Sequence, residues 1–133
     1  MAGMGEDGVK RRGDHHFICP KCGDSIFRPP GYRLARTRIA LVRARDGDGC
    51  GICGLPVWFE APISHHPAAP SVDHILPHGN GGCHCLKNLR LAHHWCNVKR
   101  ADDPPGTKMR LRGCAGHMRK VLLDTPLRER IAS

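Results

Sequence analysis

Four pairs of metal-ligating side chains are spaced with two residues between them: Cys19/Cys22, Cys50/Cys53, His93/Cys96 and Cys114/His117. That gap lets a tight turn aim both side chains at one tetrahedral ion, and two such pairs complete a closed zinc site. The strongest set joins Cys50 and Cys53 to His93 and Cys96. The 39 residues between these two pairs exceed the usual finger gap, so the ion would clamp a whole insertion at its base. Zinc binding by finger-like peptides is worth about 10–16 kcal/mol, comparable to the entire stability of a small domain. A second site from Cys19 and Cys22 with Cys114 and His117 is expected on the same spacing. Its rival takes Cys83 and Cys85 as the second pair, whose single intervening residue is the poorer knuckle spacing. His15, His16, His65 and His66 read as solvated loop residues.

A second kind of chemistry is written between Val72 and Asn97. The stretch runs Val72-Asp73-His74-Ile75-Leu76-Pro77, then Gly81-Gly82, then Asn88-Leu89, then His93-His94-Trp95-Cys96-Asn97. A carboxylate (Asp73) and an amide oxygen (Asn97) are hard ligands suited to Mg²⁺ or Mn²⁺. A neutral imidazole nearby (His74) can deprotonate a water. A base for the nucleophile and a cation for the developing charge are what phosphodiester hydrolysis requires.

These residues need elements to hold them. Ser71 to Leu76 reads as a short strand, stopped by Pro77 and the turn formers around Gly81-Gly82, with Leu89 to Ala92 as its hairpin partner. On such a strand Asp73 and His74 point to opposite faces unless the backbone bends. A short helix fits from about Trp95 to Ala101, bringing Asn97 back beside the strand. Upstream, Tyr32 to Arg45 is free of Gly and Pro and predicts a helix of about three to four turns, ended at Asp46-Gly47-Asp48-Gly49. Lys108 to Arg112 alternates basic with apolar, the period of a strand with a cationic face. Short helical pieces are expected through Ile131.

Composition narrows the class. In 133 residues, 21 Lys and Arg face 12 Asp and Glu, for a net charge of +9, which suggests an anionic partner, nucleic acid first. Aromatic residues make up only 5%, so the core is modest and a chain this short needs staples. The longest aliphatic run, Ile39 to Val42, is too short to span a membrane. The opening residues are glycine-rich and charged, unlike a secretory signal. Without export, 8 Cys beside 10 His read as metal ligands rather than disulfides.

The Asp-His-Ile-X-Pro strand, the Gly-Gly turn, the Asn-Leu and the closing Cys-Asn knuckle resemble the HNH nuclease family. The likeness runs without gaps from Val72 to about Arg100 and extends upstream through Cys50-Gly51-Ile52-Cys53-Gly54 and the Arg-rich helix. It implies an α+β fold: a small zinc-stapled ββα-metal (HNH, or His-Me finger) core with an extra N-terminal zinc knuckle and helix. Residues 1–14 would be a flexible lead, 15–30 a zinc-knuckle segment, 31–103 the nuclease core, and 104–133 a basic extension packing on that core. The implied function is a metal-dependent endonuclease that hydrolyses DNA. His74 would be its general base, Asn88 the residue that holds the loop and orients that base, and Asp73 and Asn97 the ligands of a catalytic Mg²⁺, Mn²⁺ or Ni²⁺. Cys50, Cys53, His93 and Cys96 align with the structural zinc ligands. Asn97 stands where many members carry His, giving an H-N-N set.

Arg33, Arg36, Arg43, Arg100, Lys108, Arg110 and Arg112 would contact phosphates, a mode that gives affinity with little sequence choice. The implied setting is the cytoplasm of a bacterial host, with DNA as partner. A phage processing or packaging complex, with a terminase or other DNA-processing protein, would supply the machinery around it. Two other readings fit the same composition: a non-catalytic zinc-ribbon DNA-binding module, and an adaptor of a nucleic-acid machine.

Overall fold

The computed structural model describes residues 16–100 and 113–131. The lead 1–14 and the alternating segment from Lys108 to Arg112 lie outside the described residues. Those described form a small α+β fold of two two-stranded antiparallel sheets and four helices. Strands β1 (His16–Ile18) and β2 (Ser25–Phe27) pair around the first knuckle, a hairpin that the sequence reading did not anticipate. Helix α1 (Ala35–Asp46) follows, then β3 (Pro70–His74), β4 (Leu89–His93), α2 (His94–Arg100), α3 (Cys114–Leu122) and α4 (Arg128–Ile131).

Ala, Arg and Leu favour a helix over 35–46, and Gly47 ends it with a positive φ, its N–H bonded to the Arg43 carbonyl at 2.8 Å. Helix α1 lies against both β3 and β4. Arg45 fixes it there, donating to the Leu86 and Leu89 carbonyls at 2.8 and 2.6 Å. The β3–β4 register sets His74 opposite Leu89 and Asp73 opposite Arg90. Helix α2 begins where β4 ends. Its first N–H groups are satisfied by carbonyls of the loop before β3, His94 to Ala69 at 2.8 Å and Trp95 to Pro67 at 3.1 Å.

The main core gathers Val42 of α1, Leu89 and Leu91 of β4, and Met118, Leu122 and Ile131 of the C-terminal helices. The C-terminal helices thus share one core cluster with the hairpin and α1. Trp95 on α2 stacks on His117 of α3 with ring centroids 4.0 Å apart, which joins those two helices. His66, expected in solvent, meets Trp58 edge-on at 4.9 Å and accepts the Ala68 N–H at 3.0 Å. Among the described residues no helix is long and apolar enough to cross a membrane.

Candidate metal centres and a histidine pair

The two Cys-X-X-Cys turns are built alike. In each, the glycine after the second Cys returns its N–H to the carbonyl of the first: Gly23 to Cys19 at 2.8 Å, and Gly54 to Cys50 at 2.9 Å. Both glycines have φ near +80° (78° and 83°), a conformation that a side chain would strain. The turn at Cys50 docks on the middle of β4 through Gly51 N–H to the Leu91 carbonyl at 2.7 Å.

That docking brings Cys50, Cys53, His93 and Cys96 together, with all four ligand atoms within 4.8 Å of one another. His93 Nδ1 lies 3.3 Å from Cys53 Sγ and 3.7 Å from Cys96 Sγ. The other ring nitrogen, Nε2, donates to the Pro56 carbonyl at 2.7 Å, which turns the Nδ1 lone pair toward the sulfurs when the ring is neutral. Backbone N–H groups of Ile52, Cys53 and His93 point at Cys50 Sγ from 3.4 to 3.5 Å, the donors that a thiolate needs. This donor set fits zinc. Without an ion the cluster keeps some protons. Burial pulls the His93 imidazole down, but the Cys50 and Cys53 sulfurs outweigh it and lift the ring to about 10. Contacts from Cys53 and Cys96 hold the Cys50 thiol far below its usual value, while Cys96, beside Cys50 and Cys53 and buried, is pushed far up.

The second cluster corrects the sequence reading. Cys19 and Cys22 meet Cys83 and Cys85, again with ligand atoms within 4.8 Å, and not Cys114 and His117. His117 is the stacking partner of Trp95, and Cys114 is buried in the main core. The single-residue gap works because Cys85 is extended, with φ −69° and ψ 147°, where it leads into the 3-10 turn Leu86–Asn88. Along an extended run alternate residues share a side, so two sulfurs separated by one residue can face the same ion. A Cys22 N–H directed at its sulfur lowers Cys19 to about 6, whereas burial raises Cys85 to about 12. Both clusters are compatible with structural zinc.

Asp73 and His74 diverge, as neighbours on a strand should. The Asp73 carboxylate is buried at 1% exposure and ion-paired on both oxygens, to Arg90 Nε at 2.7 Å and Arg100 Nη1 at 2.8 Å. Arg100 is itself buried at 1% and also donates to the His74 and Ile75 carbonyls at 2.6 and 2.5 Å. It is therefore a keystone between α2 and β3, not a phosphate contact, which corrects the expectation for this residue. Asn97 donates its amide to Ser71 Oγ at 2.7 Å and to the Val72 carbonyl at 3.2 Å. Asp73 and Asn97 thus do not fit a cation as arranged, since the carboxylate already serves two guanidinium groups. Replacing Asp73 with alanine would leave Arg100 buried and short of its counter-charge, and such losses cost about 3–5 kcal/mol. The expected result is a markedly lower urea midpoint for the metal-loaded variant; an unchanged midpoint would mean that the ion pairs contribute nothing.

His74 turns the other way. Its Nε2 lies 2.8 Å from His84 Nδ1, with the two rings nearly perpendicular. Asn88 closes the loop that follows His74: its Oδ1 accepts the Leu76 N–H at 2.8 Å, and its Nδ2 donates to the Leu76 and Cys83 carbonyls at 3.0 and 2.7 Å. Gly82 is needed in the same loop, because a Cβ there would lie 1.7 Å from the Leu76 carbonyl oxygen. Tyr32, its phenol raised by burial and so a lasting donor, bonds the His84 carbonyl at 2.6 Å.

Of the expected cationic contacts, Arg33 and Arg36 are exposed on and before α1. Arg43 is tied to Asp48 at 2.8 Å and lies 3.7 Å over the Phe59 ring. Lys108, Arg110 and Arg112 fall outside the described residues. Two residues that the sequence reading gave no role stand beside the expected pair: His84 against His74, and Arg90 against Asp73. No protein-family model, curated protein or solved structure matches this chain.

Proposed function

We propose that this protein is an endonuclease of the HNH kind that hydrolyses DNA phosphodiester bonds, with zinc in both Cys/His clusters as its frame. The observation that carries the reading is the loop after His74: a strand-end imidazole followed by a segment that Asn88 pins on both the N–H and the carbonyl of Leu76. Such a loop fixes a base on a rigid hairpin, as general-base catalysis requires. His74 is the base that takes a proton from water. The water attacks phosphorus in line, and the bond to the leaving 3′ oxygen breaks. Arg90 is partly exposed beside Asp73, a positive charge close to that strand. The family resemblance also implies Mg²⁺, Mn²⁺ or Ni²⁺; Asp73 does not fit as its ligand, so no step is assigned to a cation.

Binding rests on Arg33, Arg36 and the net charge of +9. The paired state of Asp73 favours a second reading, a zinc-stapled DNA-binding module or adaptor without catalysis. One experiment separates them. Supercoiled plasmid is incubated with the zinc-loaded protein in Mg²⁺, Mn²⁺ or Ni²⁺, with EDTA as control. Cation-dependent nicking supports the endonuclease. DNA retardation at low salt without cleavage in any metal supports the binding module, and failure to bind DNA supports an adaptor that docks on protein.

A further inference from the structure

We propose that His84 is the positioning residue of the base, and that the second metal cluster is the mount that aims it; this rests on the endonuclease reading above. The tripeptide Cys83-His84-Cys85 alternates sides. Its two sulfurs face Cys19 and Cys22, and the imidazole between them projects to His74, where His84 Nδ1 stands 2.8 Å from His74 Nε2. Three anchors hold the tripeptide: the cluster itself, the Tyr32 hydroxyl on the His84 carbonyl at 2.6 Å, and the Asn88 amide on the Cys83 carbonyl at 2.7 Å. A metal knuckle with this gap therefore does more than staple the N-terminal hairpin to the core. It presents a ring nitrogen at a fixed place beside the base.

The chemistry follows from the tautomers. One nitrogen of a neutral imidazole carries hydrogen and the other a lone pair, and a neighbour at one selects which. With His84 Nδ1 as acceptor, His74 keeps its hydrogen on Nε2 and its lone pair on Nδ1. When Nδ1 takes the proton from water, the imidazolium that forms retains its Nε2–H bond to His84, so the new positive charge has an acceptor already in place. No proton leaves the pair in this step; His74 gains one and the hydroxide goes to phosphorus.

Asparagine and glutamine distinguish this role from mere packing. An Asn side chain sets an amide oxygen near the position of histidine Nδ1, and a Gln side chain near that of Nε2. His84→Asn is therefore expected to preserve the bond, whereas His84→Ala and His84→Gln lose it. In ¹⁵N-labelled, zinc-loaded protein, long-range nitrogen–proton spectra should show His74 as a single tautomer with hydrogen on Nε2, both in wild type and in His84→Ala's counterpart His84→Asn. His84→Ala should depart from that single form. Misplacing a catalytic group by about an ångström can cost about a hundredfold. Nicking by His84→Ala should thus lose roughly tenfold to a hundredfold in kcat at unchanged KM, with most of it restored in His84→Asn. An unaltered His74 tautomer in His84→Ala, with nicking intact, overturns the proposal. A wild type that never nicks, yet shows the tautomer change, overturns the endonuclease reading and leaves the histidine pair standing.

Discussion

Replacement of Cys50 by serine is expected to unfold the protein and, with zinc in both clusters as proposed, to release at least one ion per chain. Cys50 is the most heavily supported ligand, with three backbone N–H groups directed at its sulfur. It is also part of the main core together with Cys96. Serine offers a poor zinc ligand in place of a thiolate. Structural zinc supplies about 10–16 kcal/mol, while a small domain has about 5–15 kcal/mol of net stability in all. The remaining core cannot cover that loss, because its largest fully buried apolar side chains are Leu, Met and Val. Circular dichroism melts and zinc release to a chromophoric chelator check this. A melt for Cys50→Ser that overlays the wild type would show that the cluster is not the frame of the fold. Acid should act in the same direction. His93 and Cys96 hold protons in the absence of an ion, so zinc must displace them, and its affinity weakens as pH falls.

The second large effect concerns activity alone. His74→Ala is expected to lower plasmid nicking by about 10²–10⁴-fold, the usual worth of a positioned acid or base. Folding should be preserved, since His74 contributes no side chain to the core and the bond from Arg100 to position 74 is to the backbone carbonyl. The pair of readouts is what gives the test its force: nicking measured against wild type, and the melting temperature of the same preparation. Full nicking by a folded His74→Ala protein would remove the base from the proposed chemistry. Loss of both activity and fold would place His74 among the residues that merely support the hairpin.

Much of this arrangement was legible in the residue pattern, and the failures have physical causes. The ligands Cys50, Cys53, His93 and Cys96 follow from the two-residue spacing, the hairpin from an apolar run bounded by Pro77 and Gly81-Gly82, and α2 from the stretch that ends before Asp102-Asp103-Pro104. The β1–β2 hairpin escaped because three-residue strands leave no readable alternation. The Cys83/Cys85 gap reads as the poorer one because knuckle spacing is a property of turns. In an extended segment the favoured gap is one residue, not two. The fate of Asp73 depended on what lies across the hairpin. Once His74 is paired with Leu89, Asp73 must face Arg90, and a carboxylate opposite a guanidinium is a cross-strand ion pair before it is anything else. Sequence spacing gave no view of Arg100 folding back from α2 onto the same carboxylate.

Each metal cluster takes half its ligands from before residue 54 and half from after residue 82. Between those limits runs a loop whose stretch from Pro62 to His65 is exposed. A protease that severed this stretch would therefore produce two fragments laced together by ions, with α1 still lying across the β3–β4 hairpin. Such a cut chain should elute from a sizing column as one particle, and fall into two pieces only when a chelator withdraws the metal.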